Sequence, residues 1–203
     1  PMGRCVGLWI AVVALATSAC SFTPRLDAQV ESFSTLARSP APAEVAVVPF
    51  AGLDAASLEF QRYRDRLARA LEARGFEVVP AAAEPPWRMR LGYRVDDGRQ
   101  VVETLAPPPY VHPRAGGRLG RYADPFGYPF GGYDVITYTV YGRHVALVLV
   151  DAASGAEVWR ASVFNVGRRR SLGDVFDAMV EAAFADFPAE VSRRVAVPLA
   201  PET

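Results

Sequence analysis

Lysine is absent from this sequence: all 22 basic residues are arginine, and 22 Asp and Glu balance them to a formal charge of zero. A chain without net charge lacks the basic field that collects phosphates, so no nucleic acid is expected as a partner. Cysteine and histidine are scarce, two of each. Cys5, Cys20, His112 and His144 lie far apart along the chain, so neither a zinc site nor a disulfide scaffold is expected. No metal and no cofactor are implied. Arginine without lysine, beside many alanines, reads as the mark of a GC-rich coding genome rather than as a set of phosphate clamps. No apolar run reaches the roughly 20 residues of a membrane-spanning helix. What remains is a chain of 203 residues, 51% apolar, which is enough for one buried core.

Residues 2–20, MGRCVGLWIAVVALATSAC, place one Arg near the start, an apolar run over 6–16 and small residues before Cys20. That is the layout of a secretory signal peptide. Ser18 and Ala19 followed by Cys20 resemble a bacterial lipobox, in which the cysteine sulfur is acylated, with chains such as palmitate, and becomes the mature N-terminus. Thr17 stands where that motif usually has Leu. Ser21, in place of the Asp that commonly retains lipoproteins at the inner membrane, implies the periplasmic face of the outer membrane. The expected organisation is a signal peptide at 1–19, a lipidated N-terminus and first strand at 20–42, and one α+β domain at 43–199. With Cys20 acylated and Cys5 removed with the leader, the mature chain has no thiol for catalysis.

Within the domain, residues 25–36 alternate apolar and polar as a strand does, and EVAVVPF at 44–50 is a short β-branched run of the kind covered on both faces. Over 57–74, Phe60, Tyr63, Leu67, Ala70 and Leu71 recur at helical spacing, with Asp54 or Ser57 to cap the start and Gly75 to end it. Residues 76–79 form a short strand, and 87–95 alternate with period two, turning Arg88, Arg90 and Arg94 outward. Asp96-Asp97-Gly98 is a hairpin signal, so 100–105 should return antiparallel to 87–95. Residues 107–133, rich in Gly, Pro and aromatics, have no period and read as a long loop. A second hairpin follows, with strands at 134–150 and 157–166 turning through Asp151 to Gly155. A wide apolar stripe over 171–187 predicts a helix, with Ser171 and Asp174 placed as a capping box and Pro188 as its stop, before a last short strand at 194–199. This order predicts a mixed, mostly antiparallel sheet with two helices packed on one face and one long Gly/Pro/aromatic loop.

Three stretches together resemble a family of bacterial envelope lipoproteins whose common domain has no assigned function. They are SLEFQRYRDRLARALEARGFEVV at 57–79, YRVDDGR at 93–99, and LVLVDAASGAEVWRASV at 147–163 together with FADFP at 184–188. The resemblance covers nearly the whole mature chain, the Gly/Tyr/Pro-rich insertion included. It implies a lipid-anchored protein of the periplasm or outer membrane and supplies no catalytic residues. More distantly, VAVVPF, a helix and GFEVV are similar to small α/β domains of envelope assembly and secretion lipoproteins.

Catalytic signatures are missing. There is no Gly-x-Ser-x-Gly elbow, and Gly116-Gly117-Arg118-Leu119-Gly120 lacks the Lys-Ser/Thr ending of a phosphate loop. His112, beside Pro113, and His144, in a strand, read as structural or solvent-facing, and Trp159 as a core aromatic. Arg168-Arg169-Arg170 reads as a solvated run, with anionic headgroups as its other use. The expectation is therefore a non-enzymatic interaction or structural module, tied to the membrane by a lipid on Cys20 and open to an envelope protein partner. Its contact surface would be the loop at 107–133, through Tyr110, Arg118, Tyr122, Phe126, Tyr128 and Phe130. The alternative is a small-molecule or lipid carrier with an apolar pocket under that loop.

Overall fold

The computed structural model describes residues 25–105 and 134–199. The signal peptide, Cys20 and the loop at 107–133 lie outside the described residues. Among the described residues eight strands form one sheet: β1 (Arg25–Ser34), β2 (Glu44–Pro49), β3 (Glu77–Val78), β4 (Trp87–Val95), β5 (Arg99–Leu105), β6 (Asp134–Asp151), β7 (Glu157–Gly167) and β8 (Val191–Pro198). Their spatial order is β3-β2-β4-β6-β7-β1-β8, with β5 pairing β6 beyond the end of β4. β2 runs parallel to β3 and β4, and the other ladders are antiparallel. Helices α1 (Leu58–Glu72) and α2 (Phe176–Phe184) pack on one face, which is the architecture the sequence pattern predicts.

Period-two burial decides which residues meet the helices. Leu26, Ala28 and Val30 of β1 face inward, as do Met89 and Leu91 of β4, Val145, Leu147 and Leu149 of β6, and Trp159, Ala161 and Val163 of β7. α1 brings Phe60, Tyr63, Leu67 and Leu71 down onto this face, and the Ser57 Oγ caps it by accepting the Phe60 N–H at 3.2 Å. Trp159 is the central anchor. Its indole stacks on Phe184 at 5.3 Å between centroids and meets the Phe187 edge at 4.9 Å. Among the described residues no helix is long and apolar enough to cross a membrane.

α2 is shorter than the apolar stripe implies. Leu172 and Val175 are buried, yet they belong to a turn that precedes the helix, so burial alone extended the expected element at its start. Ser171 does not cap it: its hydroxyl donates to Asp174 Oδ1 at 2.9 Å, whereas a capping box needs that oxygen to accept a backbone N–H.

The larger correction concerns Asp96-Asp97-Gly98. β5 does not fold back on β4; both strands pair with the long β6, β4 through Val95↔Arg143 and β5 from Arg99↔Val140 onward. Between those pairs, Asp96, Asp97 and Gly98 face only Tyr141 and Gly142, which is a β-bulge of one extra residue. Asp96 makes it possible. Its backbone N–H donates to the Gly142 carbonyl at 2.9 Å, and its Oδ1 accepts from the Gly142 N–H at 2.8 Å and from the Gly98 N–H at 3.0 Å. The carboxylate thus stands in for a ladder carbonyl. Gly98 sits at φ +83°, and a Cβ on Gly142 would lie 2.6 Å from Asp96 Oδ2, so both positions require glycine. An Asp-Gly pair signals a turn by its own chemistry, but here the partner strand across the sheet decided which turn.

Replacing Asp96 by Ala should orphan the buried Gly142 N–H and cost about 1–2 kcal/mol in urea unfolding. Asp96→Asn, which keeps an acceptor, should lose less; equal losses would show that the carboxylate does not hold the bulge.

Candidate functional site

The residues expected to carry the contact surface, Tyr110, Arg118, Tyr122, Phe126, Tyr128 and Phe130, lie outside the described residues, as does Cys20. What the structure does place is the frame around them. Leu105 pairs with Asp134, so the described residues on either side of 106–133 lie side by side at the far end of the β5–β6 ribbon. That ribbon runs past the last β6–β7 pair, Tyr141↔Gly167, and past the helical layer. Val140 at its base is buried, but further out apolar side chains are exposed, Val102 by 64%, Val135 by 62% and Ile136 by 42%.

At the ribbon's base the inner face changes character. Arg143 occupies the same face as Val145, Leu147 and Leu149 and is only 5% exposed. Its Nη2 donates to Asn165 Oδ1 and its Nη1 to the Ser171 carbonyl at 3.3 Å, while Nε is buried without an acceptor among the described residues. Asn165 in turn donates from Nδ2 to the Asp27 carbonyl at 2.7 Å. Burial pulls the Arg143 guanidinium below its ordinary pKa, opposed by the nearby Asp174 carboxylate. Sequence reading passed over this residue, although strict alternation back from Val145 places position 143 on the core face.

The arginine run at 168–170 wraps the same base. Arg168 lies over the Tyr138 ring at 4.0 Å, Arg169 pairs with Asp174 at 3.7 Å and Arg170 with Asp97 at 3.5 Å. These exposed contacts are individually weak; Arg170 ties the β7–α2 connection to the bulge and Arg168 ties it to β6, while the Arg169–Asp174 pair lies within the connection. Beside them, Glu59, Tyr63, Tyr93, Arg170 and Ser171 line an open groove of about 660 Å³. Burial raises the Tyr63 and Tyr93 hydroxyl pKa values, with Glu59 adding to each, so both phenols stay protonated at neutral pH.

On the face away from the helices, His144 Nε2 meets Ser162 Oγ at 2.6 Å, with Arg94 directly across on β4. Burial, and then Arg94, lower the imidazole pKa from 6.5. The arrangement keeps the imidazole neutral and hydrogen-bonded, in keeping with a structural histidine. Trp159, at 1% exposed, is the core aromatic expected. Asp151 serves its turn by accepting the Ala153 and Ser154 N–H groups at 2.9 Å each, and those bonds, Ser154's first, lower its carboxyl pKa. Among the described residues no cluster of three or more His, Cys, Asp or Glu is placed to hold a metal. The space between sheet and helices is filled by Trp159, Phe176, Leu67 and Met179, each under 2% exposed.

These features define an α+β sheet domain with a projecting ribbon. Over residues 27–189 the chain matches the domain of unknown function DUF4136, and it belongs to that family. No curated protein matches it. Among solved structures it is similar to the PelC dodecamer from Paraburkholderia phytofirmans, at 16% identity over 78% of this chain and 96% of that one, with a TM-score of 0.42. It is also similar to a PDZ domain protein from Parabacteroides distasonis ATCC 8503, at 10% identity over 86% of this chain and 39% of that one, with a TM-score of 0.48.

Two outcomes test this description. Asn165→Leu, which removes one of the two acceptors of the buried Arg143 guanidinium, should cost about 3 kcal/mol, and adding Arg143→Met to it should recover part of that loss; a further loss in the double variant would overturn the network. For His144, below pH 6.5 the unfolded chain takes up a proton that the folded chain refuses, so stability should fall as the pH drops. Thermal melts of His144→Gln should show a flatter acid limb than those of the unsubstituted chain.

Proposed function

We propose that this is a lipid-anchored protein of the bacterial envelope, held by acyl chains on Cys20 at the periplasmic face of the outer membrane. It acts as a non-enzymatic interaction or structural module, with residues 107–133 as the surface that meets an envelope protein partner. The observation that carries this reading is the β5–β6 ribbon. It emerges from the core with Val102, Val135 and Ile136 exposed, and its far end is where the aromatic segment begins and returns. Two strands alone are marginal in water, so a ribbon with exposed apolar residues is better suited to contact than to isolation. The leader-like N-terminus and the envelope-lipoprotein resemblance support the location.

Native mass spectrometry of the full-length protein, gently extracted from its own membranes, tests the anchor. A mass beginning at Cys20 with added acyl chains is expected; an unmodified chain in the soluble fraction would overturn it. Deleting residues 108–132 should abolish cross-linking to a partner in cells and leave the melting transition nearly unchanged. Undiminished cross-linking would remove that segment from the contact surface.

A further inference from the structure

The sheet's free edges are not alike. β3 has two residues, too few to template another strand, and β8 carries Arg193-Arg194 and ends at Pro198, the charges and proline that blunt an edge. β5 has neither. Its seven residues, Arg-Gln-Val-Val-Glu-Thr-Leu, are paired with β6 on one side, and among the described residues no strand lies on the other. Arg99, Gln100, Val102 and Glu103 are exposed.

The order of charges along this edge is self-complementary. Arg99, Val101 and Glu103 share the face that carries Val140, Tyr138 and Ile136 of β6. An antiparallel copy of β5 related by a two-fold axis through Val101 sets Arg99 opposite Glu103 of the second copy, and Glu103 opposite its Arg99. Val101 then faces its own counterpart, and Val102 faces Gln100. Opposite charges directly across an antiparallel pair stabilise it, and like charges oppose it. Shifting the axis by one residue, to Val102, sets Arg99 against Leu105 and Glu103 against Val101, and both ion pairs are lost. We propose that two copies of this chain join edge to edge through β5, in the register centred on Val101, to form a continuous β6-β5-β5-β6 sheet. This turns a two-stranded ribbon, marginal on its own in water, into a four-stranded one. The contact is isologous, as a two-fold dimer requires. It does not depend on the lipid anchor.

Sedimentation equilibrium of the full chain in mild detergent tests the proposal. A dimer is expected, and Arg99→Glu or Glu103→Arg should each weaken it about tenfold by placing like charges across the pair. The double exchange, Arg99→Glu with Glu103→Arg, should restore it. Register is read separately by oxidising Val101→Cys and Val102→Cys variants beside the unsubstituted chain. Paired residues in an antiparallel ladder lie within disulfide reach, so Val101→Cys should cross-link and Val102→Cys should not. A monomeric chain, a dimer indifferent to both single reversals, a double exchange that fails to recover, or cross-linking through position 102 alone would each overturn it.

Discussion

An extended strand of eighteen residues reaches roughly 60 Å, whereas a helix of fifteen reaches about 22 Å, so β6 outruns the layer that covers it. α2, with nine residues, is shorter still. The covered part of β6 is apolar on its inner face, from Leu149 through Leu147 to Val145. Beyond it the same face must serve a different environment, and the residues change accordingly: Arg143, then Tyr141 and Thr139. The core, the boundary network and the ribbon are three consequences of one mismatch in length.

Arg143 sits at that boundary and shows how it is managed. A guanidinium on a core-facing position costs too much unless its donors find acceptors. Asn165 on β7 and the Ser171 carbonyl on the β7–α2 connection supply them. Because Ser171 belongs to a loop, satisfying Arg143 also fixes where that loop crosses the sheet, and the neighbouring arginines then reach Tyr138, Asp174 and Asp97. A run that appears in the sequence as undirected charge therefore has positions determined by one buried cation beside it.

Much of this architecture is legible in residue order where the deciding forces are local. α1 follows from Phe60, Tyr63, Leu67 and Leu71 with a Ser cap, and β4 from its alternation, because burial period and capping chemistry are both written within a few residues. The hairpin expected at Asp96 failed because its local signal is genuine but ambiguous: Asp-Asp-Gly makes a bulge as readily as a turn once another strand offers Gly142 across the ladder. The start of α2 failed for a related reason, since Leu172 and Val175 are buried without being helical. At the site, His144 and Trp159 were readable from their strand positions. Arg143 was not, because charge discourages a core assignment that its parity demands. The residues singled out in the long loop have no period to read, so composition alone selected them.

The bulge links the core to the ribbon's surface chemistry. Upstream of it the odd residues Met89, Leu91 and Val95 of β4 share the helix-facing side; downstream, Arg99, Val101 and Glu103 of β5 lie on the opposite side. One extra residue reverses the parity, as any one-residue shift in a strand must. Without the bulge, the ladder would continue with these charges on the helix side of the sheet, beside the groove, and the Glu103 carboxylate could not accept the Tyr138 hydroxyl at 3.3 Å as it does. The face on which the ribbon displays charge is thus set by a carboxylate that occupies a backbone's place in the ladder, several residues before the charges themselves.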